Sequence, residues 1–142
     1  MRRITLDANV LAPAFTGKNS APARLIGSWR AGLFELVLSD HLLQEFARTL
    51  SDPYYVRRFS PIEGALTLAL LNARAHITGL TVPVHSVATH PEDDLVLSTA
   101  LSGNASILCT RDKQLLRLRE YQTVAILSPG EVLALLEAEA RT

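Results

Sequence analysis

Short apolar runs alternate with amphipathic stretches from one end of the chain to the other. The segments "RRITL" at 2–6 and "LFELVLS" at 33–39 are brief and β-prone, and they predict strands. Between them "APARLIGSWRAG" repeats apolar positions at helical spacing, with Pro22 near its start and Gly32 after its end, the usual helix punctuation. From Ser39, "SDHLLQEFARTL" sets Leu42, Leu43, Phe46 and Leu50 on one helical face with Ser39 as N-cap. "SPIE" at 60–63 carries a capping box with Pro at the first helical position, and it predicts a helix that runs to Gly79.

The second half continues the alternation. "TVPV" at 81–84 predicts a strand confined to an edge by Pro83. Thr89 and Glu92 have capping-box spacing and open a helix through about Leu101. "ASILCT" at 105–110 predicts a buried strand, "KQLLRLRE" a short helix, "TVAIL" at 123–127 the last strand, and "SPGE" at 128–131 the cap of a closing helix. Strands that alternate with helices argue for a three-layer α/β domain over residues 1–142, with parallel strands joined by right-handed crossovers. In such sheets ligands bind at the carboxyl ends of the strands, where strand order reverses.

Acidic residues stand where that rule directs attention. Asp7 directly follows the first strand and Asp112 the "SILCT" strand, so both project from one sheet edge. An Asp after a strand is ordinary turn chemistry, but two at corresponding strand ends carry more weight. Glu45 lies on the flank of the 39–50 helix beside His41 and Arg48, where an exposed i, i+3 pair with Arg48 would also account for it. In "HPEDDLVLSTA" three acids crowd the head of an apolar helix. Each interacts favourably with the helix dipole by about 0.3–1 kcal/mol. Like charges about 4 Å apart cost up to roughly 4 kcal/mol at an effective dielectric near 20. Glu92 is covered by the capping box, and the other two acids invite a compensating cation. Hard divalent ions such as Mg²⁺ or Mn²⁺ take oxygen ligands, and one or two of them can drive phosphodiester hydrolysis.

Composition then narrows the setting. With 48% hydrophobic and 20% charged residues the chain has the balance of a folded domain. Cys109 stands alone without a CxxC partner, which excludes a disulfide framework and fits a reducing, cytoplasmic compartment. The N-terminus has no signal-peptide h-region, and no apolar run approaches the roughly 20 residues a membrane span needs. Net charge is zero, which gives no basic footprint for nucleic acid. Cations bound by four of the acids would nevertheless leave the remainder positive, and twelve of the fourteen basic residues are Arg, whose planar fork matches phosphate.

Four stretches, "ITLDANVL" at 4–11, "LSDHLLQEFARTL" at 38–50, "HPEDDLVLSTALSGNASILCTRDKQLL" at 90–116 and "VAILSPGEVL" at 124–133, resemble the PIN-domain nucleases. They are most similar to the VapC-like toxin components of bacterial toxin–antitoxin pairs. The resemblance implies a parallel sheet ordered 3-2-1-4-5 and a metal-dependent endoribonuclease. Such an enzyme cuts single-stranded or loop RNA to leave a 5′-phosphate and a 3′-hydroxyl. It carries over an acidic quartet as Asp7, Glu45, Asp94 and Asp112, binding Mg²⁺ or Mn²⁺, with Asn9 and Thr110 in support. Asp94, the last acid before the apolar run, takes the ligand position, and Asp93 supports it or ligates in its place. Arg111, Arg57 and Arg58 are the phosphate-contact candidates. Tyr54 and Tyr55 stack on unpaired bases or pack a loop.

The implied partners are an RNA substrate and a cognate antitoxin, with no membrane. The closing helix offers a homodimer interface, although packing on its own sheet is its plainer use. Two other classes compete with this reading. An aspartyl phosphatase would want an acid two residues after Asp7, where Asn9 stands. A receiver-like or partner-binding α/β module would use the acids structurally or for one metal, but its paired acids follow the first strand, whereas here the pair comes late.

Overall fold

The computed structural model describes all 142 residues, Met1–Thr142. Strand β1 (Arg3–Leu6) is followed by helices α1 (Ala8–Thr16) and α2 (Ala21–Arg30). After β2 (Glu35–Leu38) come α3 (Asp40–Leu50), α4 (Pro53–Val56) and α5 (Pro61–Arg74). Then follow β3 (His76–Ile77), α6 (Pro91–Ser102), β4 (Ile107–Cys109) and α7 (Lys113–Leu118), and the chain closes with β5 (Glu120–Tyr121), β6 (Val124–Leu127) and α8 (Pro129–Ala140). The sheet order is β3-β2-β1-β4-β6-β5. Five strands are parallel in the expected order, and β5 adds a short antiparallel edge through a turn in which Gln122 has φ +51°.

Both faces of the sheet are covered. Every residue of β4 is buried, as are Ile4, Thr5 and Leu6 of β1, which is the signature of a parallel sheet sandwiched between helices. On these strands an alternating pattern would have left one face wet. The core joins Ile4, Leu6, Leu36, Leu38, Ile107 and Leu108 of the strands to Leu25 and Trp29 of α2, Leu42 and Phe46 of α3, and Leu97 of α6.

Three local expectations fail for identifiable reasons. Residues 75–79 do not extend a helix: α5 ends at Arg74, and His76 and Ile77 pair with Val37 and Leu38, since the open edge of β2 supplies partners that a frayed helix end would lack. "TVPV" is not a strand. Its backbone is tied to α6 instead, by Val82 N–H donating to Ser102 Oγ at 2.9 Å and by Ser98 Oγ donating to Val82 O at 2.5 Å. The Thr89–Glu92 capping box does not form, because the helix begins one residue later, with His90 as an N-cap that makes no side-chain bond and Pro91 at the first position. The capping boxes at Ser60–Glu63 and Ser128–Glu131 and the Ser39 cap do form. Helix α1, which no pattern announced, contains Pro13 and buries small residues at Ala8, Ala12 and Ala14, so its apolar period is blurred.

Gly103, closing α6, lets that helix approach β2. A Cβ there would collide with Val37 Cγ1, and the Gly103 carbonyl accepts from Arg3 Nη1 at 2.6 Å. Gly103→Ala is therefore expected to destabilise the fold by about 1–3 kcal/mol, read as a lower urea midpoint. An unchanged midpoint would show that α6 shifts freely on the sheet.

Candidate active site

Strands β1 and β4 are neighbours, and the chain leaves them in opposite directions across the sheet, so the order reverses between them. Asp7 stands at the end of β1 as the N-cap of α1. Its Oδ1 accepts from Ala8 N–H at 2.7 Å and its Oδ2 from Thr110 Oγ1 at 2.9 Å. Asp112 stands just past the end of β4 as the N-cap of α7, accepting from Gln114 and Leu115 N–H. Thr110 links the two strand ends, since its hydroxyl oxygen also accepts from Asp112 N–H at 3.1 Å and from Asn9 Nδ2 at 3.4 Å. Asn9 Oδ1 accepts from Arg111 N–H at 3.1 Å. Each Asp carboxylate thereby has a fixed orientation and retains lone pairs beyond those bonds.

Helices α3 and α6 contribute the other acids. They are tied by a 2.7 Å hydrogen bond between the Ser39 and Thr99 hydroxyls. Glu45 projects from α3, partly buried, and its Oε1 lies 3.0 Å from His41 Nε2 without the alignment of a hydrogen bond. The expected partner, Arg48, is not in ion-pair contact, and the pair is neither exposed nor at i, i+3 spacing.

On α6 the two candidate acids have different surroundings. Asp94 is 6% exposed and occupied by the loop before its helix: its carboxylate accepts from the N–H groups of Ser86 at 3.1 Å, Val87 at 3.2 Å and Ala88 at 2.8 Å. It holds the loop before α6, whose Ser86 has φ +57°. Asp93, half-buried, lies within electrostatic reach of Asp7 and Asp112, since it raises the first and is raised by the second. Of the two acids expected to share the ligand role, Asp94 has its carboxylate occupied by loop N–H groups, and Asp93 is the one left available to the strand ends. Consecutive helical residues diverge by about 100°, and the register of α6 gives the later one to the preceding loop. Helix α6 is buried on nearly all sides from Val96 to Ala100, so its sequence carries no stripe from which to read that register.

The electrostatics are those of crowded, partly desolvated carboxylates. Burial pushes Asp7 up to about 6, against the Thr110 and Ala8 hydrogen bonds, and Glu45 and Asp93 raise it further. Burial also raises Glu45, helped by Glu92 and Asp93, with Arg48 opposing. Asp93 is raised by burial first, then by Asp112, while His90 opposes. Glu92, assigned to a cap on sequence grounds, makes no capping bond and lies within electrostatic reach of Glu45. No sequence signal marks that proximity, which depends on how α6 packs on α3.

Asp7 yields a test that needs no substrate. Unfolded, its carboxyl titrates near 3.8, and folded near 6, so the native state holds the proton more tightly. Stability is then highest below about pH 4 and falls as pH rises to about 6. For this group the fall is about 3 kcal/mol, since each tenfold gain in proton affinity on folding is worth roughly 1.4 kcal/mol. In metal-free protein at pH 7.5, Asp7→Asn should recover about 1–2 kcal/mol of this, since the Asn amide cannot accept from the Thr110 hydroxyl as well as the carboxylate does. Urea midpoints in EDTA should be higher for Asp7→Asn at pH 7.5 and higher for wild type at pH 4, crossing between. Equal midpoints at pH 7.5 would mean that the Asp7 charge costs nothing.

Arg111 is exposed between Thr110 and Asp112. Arg57 and Arg58 follow α4, outside the crevice, at the rim of a groove of about 710 Å³ between α3 and α5 whose wall includes none of the acids above. No helix is long and apolar enough to cross a membrane.

The fold and its strand ends define an α/β domain with acidic residues gathered near its topological switch point. A PIN domain family model matches residues 3–114, and the chain belongs to that family, whose members are generally nucleases. A chain of the crystal structure of VapBC2 from Rickettsia felis bound to a DNA fragment from their promoter has the same fold. The TM-score is 0.62 over 89% of this chain and 98% of that one, at 14% identity. Among curated proteins none matches.

Proposed function

We propose that this PIN domain is a metal-dependent endoribonuclease and the toxin of a toxin–antitoxin pair. The reading rests on Asp7 and Asp112 at the ends of two neighbouring strands, with Glu45 and Asp93 in electrostatic reach of Asp7, and on the burial and repulsion that raise Asp7, Glu45 and Asp93. The donor set fits Mg²⁺ or Mn²⁺: hard carboxylate oxygens, no thiolate, and an excess of negative charge that a divalent ion relieves. No three of these groups are gathered closely enough to hold an ion by themselves, so an ion here would depend on water and substrate phosphate for its remaining ligands. Bound there, the ion would supply an activated water and charge neutralisation for phosphodiester cleavage.

The chain's own residues do the rest. Asp7 and Asp112 would be held in ligating orientation by Ala8, Thr110 and the first turn of α7. Glu45, with its raised affinity for a proton, suits orienting the attacking water and accepting a proton at Oε1. Arg111, exposed and next to Asp112, would contribute a charge for substrate phosphate. The antitoxin partner rests on the shared fold with a VapBC2 chain.

The test is hydrolysis of a labelled single-stranded RNA at pH 7.5 with Mn²⁺ or Mg²⁺. Cleavage to 5′-phosphate and 3′-hydroxyl ends is expected, and EDTA should stop it. RNA left intact by micromolar protein with either ion would sink the nuclease reading. Expression of the wild-type chain alone should slow bacterial growth, and expression of Asp93→Asn should not. Equal growth would remove the toxin role.

A further inference from the structure

Helix α4 and the turn after it gather two tyrosines and two arginines that the acidic crevice leaves unused. The Arg58 guanidinium lies over one face of the Tyr54 ring, 3.6 Å from its centroid, and Nη1 donates to Tyr54 O at 2.8 Å. Tyr54 and Tyr55 meet edge to face with centroids 4.9 Å apart. Arg57 Nε donates to Pro53 O at 3.2 Å. These contacts order the segment without neutralising it. The ion pairs of the molecule join Arg2 to Glu139, Arg3 to Glu35, Arg24 to Glu137 and His41 to Glu45, so Arg57, Arg58 and Arg111 have no carboxylate partner. Tyr54, although stacked by Arg58, is still 50% exposed.

This segment adjoins the crevice. Tyr55 packs against the core, and its phenol is raised by burial and by Tyr54 while the Arg111 charge pulls the other way, which puts Arg111 within electrostatic reach. Arg111 directly precedes Asp112. An exposed aromatic ring backed by a guanidinium, with unpaired arginines leading to an acidic cleft, has the elements that hold an unpaired strand: rings for bases and cations for phosphates. A carboxylate-bearing peptide would use the arginines but has no need of the ring.

We infer that Tyr54, Tyr55, Arg58 and Arg111 form a platform that holds single-stranded RNA beside the acidic crevice, with an unpaired base stacked on Tyr54 and backbone phosphates on Arg58 and Arg111. The inference deepens the nuclease reading by naming how substrate is held, and it can be tested by binding alone.

Anisotropy of a fluorescein-labelled 12-nucleotide single-stranded RNA, measured with Mg²⁺ on full-length Asp93→Asn so that the strand stays intact, is the direct measurement. Adding Tyr54→Ala should weaken binding about tenfold, whereas Tyr54→Trp should preserve it. Adding Arg58→Ala should reduce the slope of log K against log salt by about 0.7, one phosphate contact on a single strand. Melting temperatures should stay within a degree or two, as these side chains lie at the surface.

The small diester bis(p-nitrophenyl) phosphate, which cannot span crevice and platform, should be hydrolysed equally by wild type and Tyr54→Ala with Mn²⁺. The platform is overturned if the Tyr54→Ala and Arg58→Ala proteins bind as their parent does, or if the parent does not bind. It is also overturned if the same 12-mer annealed to its complement binds as tightly as the single strand, if a glutamate 12-mer displaces RNA at equal concentration, or if Tyr54→Trp behaves as Tyr54→Ala. Failure of the nuclease reading looks different: neither substrate is hydrolysed, while the differences in binding persist.

Discussion

Asp93→Asn is expected to stop RNA hydrolysis while leaving the protein folded. Loss of a group that merely orients a metal ligand typically costs 10–100-fold, so loss of a proposed ligand should cost about a hundredfold or more in kcat/KM. Stability should not suffer. The Asp93 carboxyl is raised by burial and by Asp112, so its charge opposes folding at neutral pH, and the metal-free Asn variant should melt no lower than wild type. Added Mn²⁺ should raise the melting temperature of wild type but raise that of Asp93→Asn less, because binding to the native state alone is what stabilises. A variant that cleaves RNA at the wild-type rate would remove Asp93 from the proposed site.

The neighbouring substitution separates structure from chemistry. Asp94→Ala removes one buried acceptor group that serves the N–H groups of Ser86, Val87 and Ala88. Hydrogen bonds to a charged group contribute about 1.5–3 kcal/mol each, and the three share one carboxylate, so a loss of roughly 3–5 kcal/mol is expected, a large part of a small domain's stability. Asp94→Asn should be milder, retaining an oxygen for Val87 and Ala88 but turning an NH₂ group toward Ser86 N–H. Both variants should lower the urea midpoint and, where enough protein remains folded, retain hydrolysis. Amide exchange should quicken first at residues 86–88. If instead Asp94→Asn kept its midpoint and lost activity, the two acids would have exchanged roles.

Much of the site was legible because strands announce their own ends. Asp7 and Asp112 follow apolar β-segments directly, and once the sheet is parallel their placement at one edge follows from strand direction. Asn9 and Thr110 came with the same two stretches, and the structure ties them together through the Thr110 hydroxyl. The helix acids were harder. Glu45 lies on the flank of a clear apolar stripe, so its partial burial could be anticipated, but its His41 neighbour and the nearby Glu92 depend on packing between helices. For Asp93 and Asp94 the sequence offers adjacent identical side chains at the head of a helix buried on nearly all sides, and nothing local distinguishes them.

The amino-acid sequence by itself determined the alternation of strands and helices, the caps at Ser39, Ser60 and Ser128, and the acids at the ends of β1 and β4. All of these are local: they depend on hydrophobic period, turn chemistry and orphan N–H groups within a few residues. Tertiary structure decided what depends on partners distant in sequence. It ended α5 early so that His76 and Ile77 could complete the edge of β2, and it drew α1 out of a run interrupted by Pro13. By the close contact of α6 with β2 at Gly103 and with α3 at Thr99, it set which of two adjacent carboxylates holds the loop before α6 and which is left free of it. A rotation of about 100° separates those outcomes, and only the packing of α6 on its neighbours fixes it.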